Sequence, residues 1–242
     1  MLKRKITRYL EQHLVSASNK ILLVEGARQV GKSYVIREVG QRLFANYVEL
    51  NFVTDNEGVQ LFKNVHTVDE FYLRLSSVAG DRLGNYNDTL IFLDEIQCYP
   101  QYLTLLKFLR EEQKYRFIAS GSALGMALRH TTSIPVGSVI IKKMYPLDFE
   151  EFLWANNYGE NAISDLYNHF LNQQSLSEEQ HEQLIELFRR YLLVGGLPDV
   201  VNEYLATHNI LNVRNLQNAI AAMYEADASQ YENNASRRLL IR

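Results

Sequence analysis

Through the first 150 residues, short apolar runs alternate with longer stretches of helical spacing; beyond them only helical spacing remains. Ile6, Tyr9, Leu10 and Leu14 share one face of a short amphipathic helix within residues 3–15. KILLVEG reads as a buried strand ending on glycine, and GKSYVIREVGQRLF as the helix that follows it. YVELNF (47–52) is a second strand, TLIFLDE (89–95) a third, YRFIASGS (115–122) a fourth and GSVIIKKMYPL (137–147) a fifth. Residues 67–83 predict a helix with Phe71, Leu75, Val78 and Leu83 on related faces. PQYLTLLKFLREEQ predicts another, opened by Pro100. Strands and helices in this alternation predict an α/β fold whose mostly parallel sheet is covered by helices on both faces.

After Pro146 the texture changes. DFEEFLWA, ISDLYNHFLNQ, SEEQHEQLIELFRRYLLV and residues 209–225 all read as helices, and no strand competes with them. The boundary falls near residues 147–160. The expected layout is an α/β domain over 1–150 and a small all-helical domain over 151–242.

Composition narrows this picture only slightly. Hydrophobic residues make up 47% of the 242 and charged residues 22%, which places the chain among folded globular proteins. The single cysteine, Cys98, excludes an intrachain disulfide framework and fits a reducing compartment. No apolar run approaches the ~20 residues of a membrane span, so a cytoplasmic protein without membrane attachment is expected. The net charge of −3 gives no support to a nucleic-acid partner. Basic runs at the two ends (Lys3, Arg4, Lys5 and Arg8, then Arg237, Arg238 and Arg242) read as solvated ends of terminal helices.

The chemistry concentrates at strand ends. Gly26, Ala27, Arg28, Gln29, Val30, Gly31, Lys32 and Ser33 match G-x-x-x-x-G-K-[ST], set between a strand and a helix, and Tyr34 follows directly. Glycines let backbone amides approach phosphate oxygens, and the helix start adds its own amides and the positive end of its dipole. Lys32 would reach the β- and γ-phosphates of a nucleotide, and the Ser33 hydroxyl would ligate Mg²⁺. LIFLDE runs four apolar residues into Asp94 and Glu95, at the strand end where open α/β sheets hold ligands. Asp94 is the expected magnesium-side carboxylate and Glu95 the base for an attacking water. Ser120 and Ser122 end the next strand, where a hydroxyl would touch the γ-phosphate, fix the water or merely cap the loop. Arg116 and Arg129 are candidates for an arginine given to a neighbouring subunit.

Taken together, GARQVGKS, LIFLDEIQ, ASGS, YPLDFEEFL and YLLVGGLPDVV (191–201) resemble a family of bacterial and archaeal AAA-type P-loop ATPases, over about residues 3–226. The resemblance implies an additional-strand P-loop core with a helical lid, ATP as the nucleotide, and a sensor at Ser120 or Ser122. Gly195, Gly196 and Pro198 look like the lid segment that lies against the nucleotide in related signalling ATPases. Two departures stand out. The family's Gly-Arg pair before the last strand is Gly137-Ser138 here, so a phosphate-sensing arginine would be missing and turnover would be slow. Members also continue into a domain resembling restriction-type nucleases, whereas these residues end at SRRLLIR, as a shortened or naturally short form would. Three readings follow: an assembling, homo-oligomeric ATPase, a switch that retains ADP and engages a protein partner through its lid, or a DNA-associated ATPase module.

Overall fold

The computed structural model describes residues 2–122 and 137–231, with side chains to residue 226. Two compact units divide these residues: Arg4–Tyr145, and Pro146 onward together with the residues before Arg4.

The first unit is built on five strands: β1 (Ile21–Glu25), β2 (Asn46–Asn51), β3 (Thr89–Asp94), β4 (Arg116–Gly121) and β5 (Val139–Lys143). Their order is β2-β3-β4-β1-β5. All four pairings are parallel, with Leu22 opposite both Ile118 and Ile140, and Leu50 opposite Leu93. Parallel neighbours need crossovers, and α1 (Lys5–Val15), α2 (Lys32–Leu43), α3 (Phe52–Glu57), α4 (Val68–Ala79) and α5 (Gln101–Glu112) are the unit's helices. The helices follow from local chemistry. Thr67 and Glu70 form a reciprocal capping box that starts α4. Pro100 stands at the N-cap of α5, where its missing N–H is no loss. β3 is buried along its whole length, as a near-continuous apolar run in a central parallel strand should be. On one face Phe52, Phe71, Tyr102 and Phe117 pack around Ile91, Leu93 and Ala119. The sequence pattern gave no sign of α3, where Asn51 turns the chain by accepting the Thr54 amide.

The second unit is helical: α6 (Phe149–Ala155), α7 (Glu160–Leu171), α8 (Glu178–Val194), α9 (Pro198–Thr207) and α10 (Ile210–Tyr231). The YPLDFEEFL stretch has a physical reading here. The Asp148 carboxylate accepts the Glu151 amide at 2.9 Å and Glu151 accepts the Asp148 amide at 3.2 Å, a capping box that starts α6. Leu147, Phe152, Val194, Val200, Val201, Tyr204, Val213 and Ile220 form the core. The Gly195-Gly196 break has two separate causes. Gly195 ends α8 at a φ of 74°, a value that favours glycine. Gly196 accepts the Leu147 amide at 2.6 Å, so closely that a Cβ would overlap Leu147 backbone well inside 3.0 Å. Leu197 and Pro198 then open α9, which sequence reading had left inside a motif.

Backbone cannot yield as a flexible side chain does, so Gly196→Ala is expected to cost about 2 kcal/mol or more. Chemical denaturation followed by circular dichroism would register it as an earlier loss of helix, with the parallel-sheet unit holding its midpoint.

Candidate nucleotide-binding site

The carboxyl ends of β1, β3 and β4 meet at one end of the sheet, and the loop of residues 26–31 crosses it. Gly26 lies between strands: its amide donates to Gly121 O at 3.4 Å, and the next backbone group over, Met144 N, donates to Glu25 O at 2.7 Å. A Cβ on Gly26 would overlap the Met144 carbonyl. Gln29 and Gly31 take positive φ values of 61° and 91°, which curl the loop before α2 begins at Lys32. The first amides of α2 have no intrahelical acceptor and face the loop's interior, where an anion would satisfy them.

Lys32 is buried, and its Nζ donates to the Gly26 and Ala27 carbonyls at 3.0 and 2.9 Å. An ammonium has three hydrogens, so one remains for an incoming phosphate oxygen. Burial lowers the Lys32 pKa, and the charges of Glu95 and Asp94 oppose that shift.

Asp94 is the hub. The Ser33 hydroxyl donates to its Oδ2 at 2.8 Å and Asn51 Nδ2 to the same oxygen at 3.1 Å. Ser120 donates to Oδ1 in a short hydrogen bond, and the Glu95 amide adds a fourth donor at 3.1 Å. Only 2% of the residue is exposed, and desolvation pushes its pKa upward despite the hydrogen bonds from Ser120 and Ser33; Glu95 and Glu49 push the same way. Glu49 is itself gripped by Arg37 through two hydrogen bonds of 2.7 and 2.8 Å.

Glu95 sits at φ 54°, a left-handed kink that turns its side chain off the strand line. Its Oε2 accepts from Gln97 Nε2, from the Ser122 hydroxyl at 3.1 Å and from the Ser122 amide at 3.3 Å. Oε1 takes no hydrogen bond among the described residues. The two serines of ASGS thus divide the carboxylates between them. Ser120 is wholly buried and gives its hydroxyl to Asp94, so it reaches a nucleotide only through that residue; Ser122 serves Glu95.

The remaining expected residues scatter. Val30 is buried and Tyr34 is 54% exposed at the start of α2. Arg28 has interactions of its own and lies close enough to depress Lys32 further. Pro198 opens α9 in the helical unit. Arg129 lies outside the described residues.

Two expectations need correction. Arg4 is buried, not solvated, and donates to Val30 O at 2.7 Å and Tyr145 O at 2.6 Å, bracing the loop from behind. Position 138 stands at the opposite end of the sheet: Ser138 O accepts the Ile21 amide at the start of β1, and five residues of strand separate it from the loop. About 16 Å of strand therefore separates the backbone at position 138 from the loop of its own chain. Arg116 begins β4 at the same far end of the sheet, where it donates to Ser16 O and lies over the Tyr86 ring. Sequence reasoning missed Asn51 and Gln97, although both stand in stretches it quoted.

Residues 18–153, more than half of the chain, match the AAA domain family. The chain belongs to that family. Residues 185–242 match a second family whose function is unknown. Among solved structures, the AAA domain and its helical unit are similar to the Walker-type ATPase of Pyrococcus abyssi: 12% identity, TM-score 0.57, covering 98% of this chain and 77% of that one. AMPPCP-bound DnaA from Aquifex aeolicus aligns at 14% identity and TM-score 0.45 over 82% and 58%. PCH-2 of C. elegans aligns at 13% identity and TM-score 0.47 over 87% and 63%. No curated protein matches in sequence. The family and the fold of the archaeal ATPase establish a AAA-type P-loop ATPase architecture, of the kind that binds and hydrolyses nucleotides. Among the described residues no helix is long and apolar enough to cross a membrane.

The raised Asp94 pKa has a sign. Between its unfolded and folded values the native state binds more protons, so stability falls as pH rises through that window, starting near pH 4. Asp94→Asn should remove the dependence. Urea midpoints of wild type and variant, measured without divalent cation, should draw apart from pH 4 upward with the variant the more stable; parallel curves would contradict a desolvated carboxylate.

Proposed function

We propose that this AAA domain binds Mg-ATP at the loop of residues 26–33 and hydrolyses it by water attack on the γ-phosphate. The observation that carries the reading is the pair of carboxylates with different surroundings at one strand end. Asp94 is buried, hydrogen-bonded to Ser33 and held at an energetic disadvantage by desolvation. Glu95, next to it, has one oxygen anchored and one without a hydrogen bond among the described residues.

The donor set fits magnesium. Ser33 Oγ and Asp94 Oδ2 are hard oxygens 2.8 Å apart, and a divalent cation would answer the uncompensated charge of Asp94. No cluster of three or more acidic, histidine or cysteine ligands occurs among the described residues. That suits an ion whose remaining ligands are water and nucleotide phosphates, not a self-sufficient protein cage. When bound, the ion would offset the charge that develops on the phosphate oxygens.

The chain's own groups would do the rest. Lys32 turns its third hydrogen to a β–γ oxygen, while the amides of α2 and of residues 27–31 surround the phosphates. Glu95 Oε1 accepts a hydrogen bond from the attacking water and takes its proton. Ser122 and Gln97 hold Oε2, so the carboxylate cannot rotate away from the line of attack. Ser120 and Asn51 keep Asp94 in one rotamer. Tyr34 is exposed at the start of α2, where an adenine ring would stack on it.

Phosphate release from Mg-ATP, measured across protein concentrations, tests the reading. Glu95→Gln should retain nucleotide binding and lose turnover by about 100-fold or more. Lys32→Ala should lose both. Release from Glu95→Gln at the wild-type rate would remove Glu95 as the base, and a rate per molecule that rises with concentration would mark an assembling enzyme.

A further inference from the structure

The end of the sheet opposite the phosphate loop carries a second concentration of positive charge. A cleft opens there between the end of α1, the start of β1, the residues before β3, the end of α5 and the start of β4. His13, Ser18, Lys20, Tyr86, Arg110 and Arg116 supply its polar lining.

The cations converge without a counter-charge. No carboxylate lines the cleft, and Glu111 and Glu112 at the end of the same helix as Arg110 are not among the lining residues. Lys20, Arg110 and Arg116 make no ion pair among the described residues. Neutral groups hold the guanidiniums in place. Arg110 Nη1 donates to Ser138 Oγ at 3.0 Å, and its buried Nε has no partner among the described residues. Arg116 Nη1 donates to Ser16 O at 3.2 Å, with its Cζ 4.8 Å from the centroid of the Tyr86 ring. Arg116 is close enough to disfavour the charged form of His13, which burial already disfavours and the Lys20 carbonyl restores in part. An unpaired buried guanidinium nitrogen is costly unless an anion answers it.

Net charge supports the same conclusion once it is divided by unit. Residues 4–145 hold 18 Lys and Arg against 14 Asp and Glu, a net of +4; the remainder holds 7 against 14, a net of −7. The value of −3 for the whole chain conceals a basic ATPase unit.

We infer that the cleft lined by Lys20, Arg110 and Arg116 is a second anion site, which takes a phosphate group from a ligand other than the nucleotide at the loop. Its volume of about 20 Å³ admits one oxygen-sized group, so a phosphate enters by its tip and the rest of its carrier stays outside. Arg110 and Arg116 offer donors to the entering oxygen, and the exposed Lys20 ammonium meets the oxygens that stay at the mouth. The phosphate can be free or belong to a nucleic-acid backbone, and the two sources behave differently in solution.

The experiment follows the ring resonances of His13 by NMR while inorganic phosphate, and separately a short DNA duplex of arbitrary sequence, is titrated into the full chain. Both series run in Lys32→Ala, which disables the loop and leaves the cleft intact. Saturable shifts at His13 are expected, weakened about tenfold in the Arg110→Gln/Arg116→Gln double variant and retained in Arg110→Lys/Arg116→Lys. If the double variant fails to fold, Lys20→Gln serves, because the Lys20 ammonium has no hydrogen bond to lose. Tighter binding of DNA, with a salt slope lowered by about two in the double variant, assigns the phosphate to a nucleic-acid backbone. Tighter binding of inorganic phosphate assigns a small phosphorylated ligand. Absence of His13 shifts with both probes, or shifts unchanged in the glutamine variants, overturns the site.

Discussion

A buried carboxylate gathers this site. Asp94 ends a strand that is closed to solvent on both faces, and its charge survives there through donors from three other segments: Ser33 at the start of α2, Asn51 at the end of β2 and Ser120 at the end of β4. Each of those elements is adjacent to the next only because the sheet is parallel and ordered β2-β3-β4-β1-β5. The loop ending at Ser33, the Asp94 carboxylate and the Ser120 hydroxyl are therefore not three separate features. They are one hydrogen-bonded cluster, and its geometry is only as good as the strand register beneath it.

The same cluster separates two acids that are neighbours in sequence. Asp94 continues the strand and is buried. Glu95 leaves it through a left-handed kink and reaches Ser122 and Gln97. Backbone conformation alone gives one residue a dry environment and the other an open oxygen. A bulky β-branched residue at position 95 would resist that kink, whatever its polarity.

Much of this was legible beforehand. The P-loop spacing, the apolar run into Asp94-Glu95 and the strand–helix alternation each report a local rule, and the first four strands were met within a residue, while the fifth and the helix at 68–79 end four residues earlier than expected. The failures were of another kind. Asn51 was visible only as a polar letter at a strand end, because its role depends on β2 lying next to β3, and pairing is not written in either segment. Arg4 looked like part of a solvated basic run, since nothing local announces that Val30 and Tyr145 will present carbonyls to it. Ser138 was judged by what stands there in relatives, without knowing which end of β5 it occupies. Net charge misled for a similar reason: it sums over two units of opposite sign.

The order of the strands also bears on how the chain is made. β1 lies inside the sheet, yet both its partners come late: Leu22 pairs with Ile118 and with Ile140, about a hundred residues downstream. Gly26 in turn closes against Gly121 and approaches Met144, and Arg4 waits for Tyr145. During synthesis the phosphate loop thus emerges about a hundred residues before the segments that complete it. Its apolar strand, ILLV, stays without a partner until β4 and β5 have left the ribosome. An unfinished chain has no formed phosphate site to occupy, so nucleotide would act on this protein as a ligand of the completed fold and not as a template for folding it.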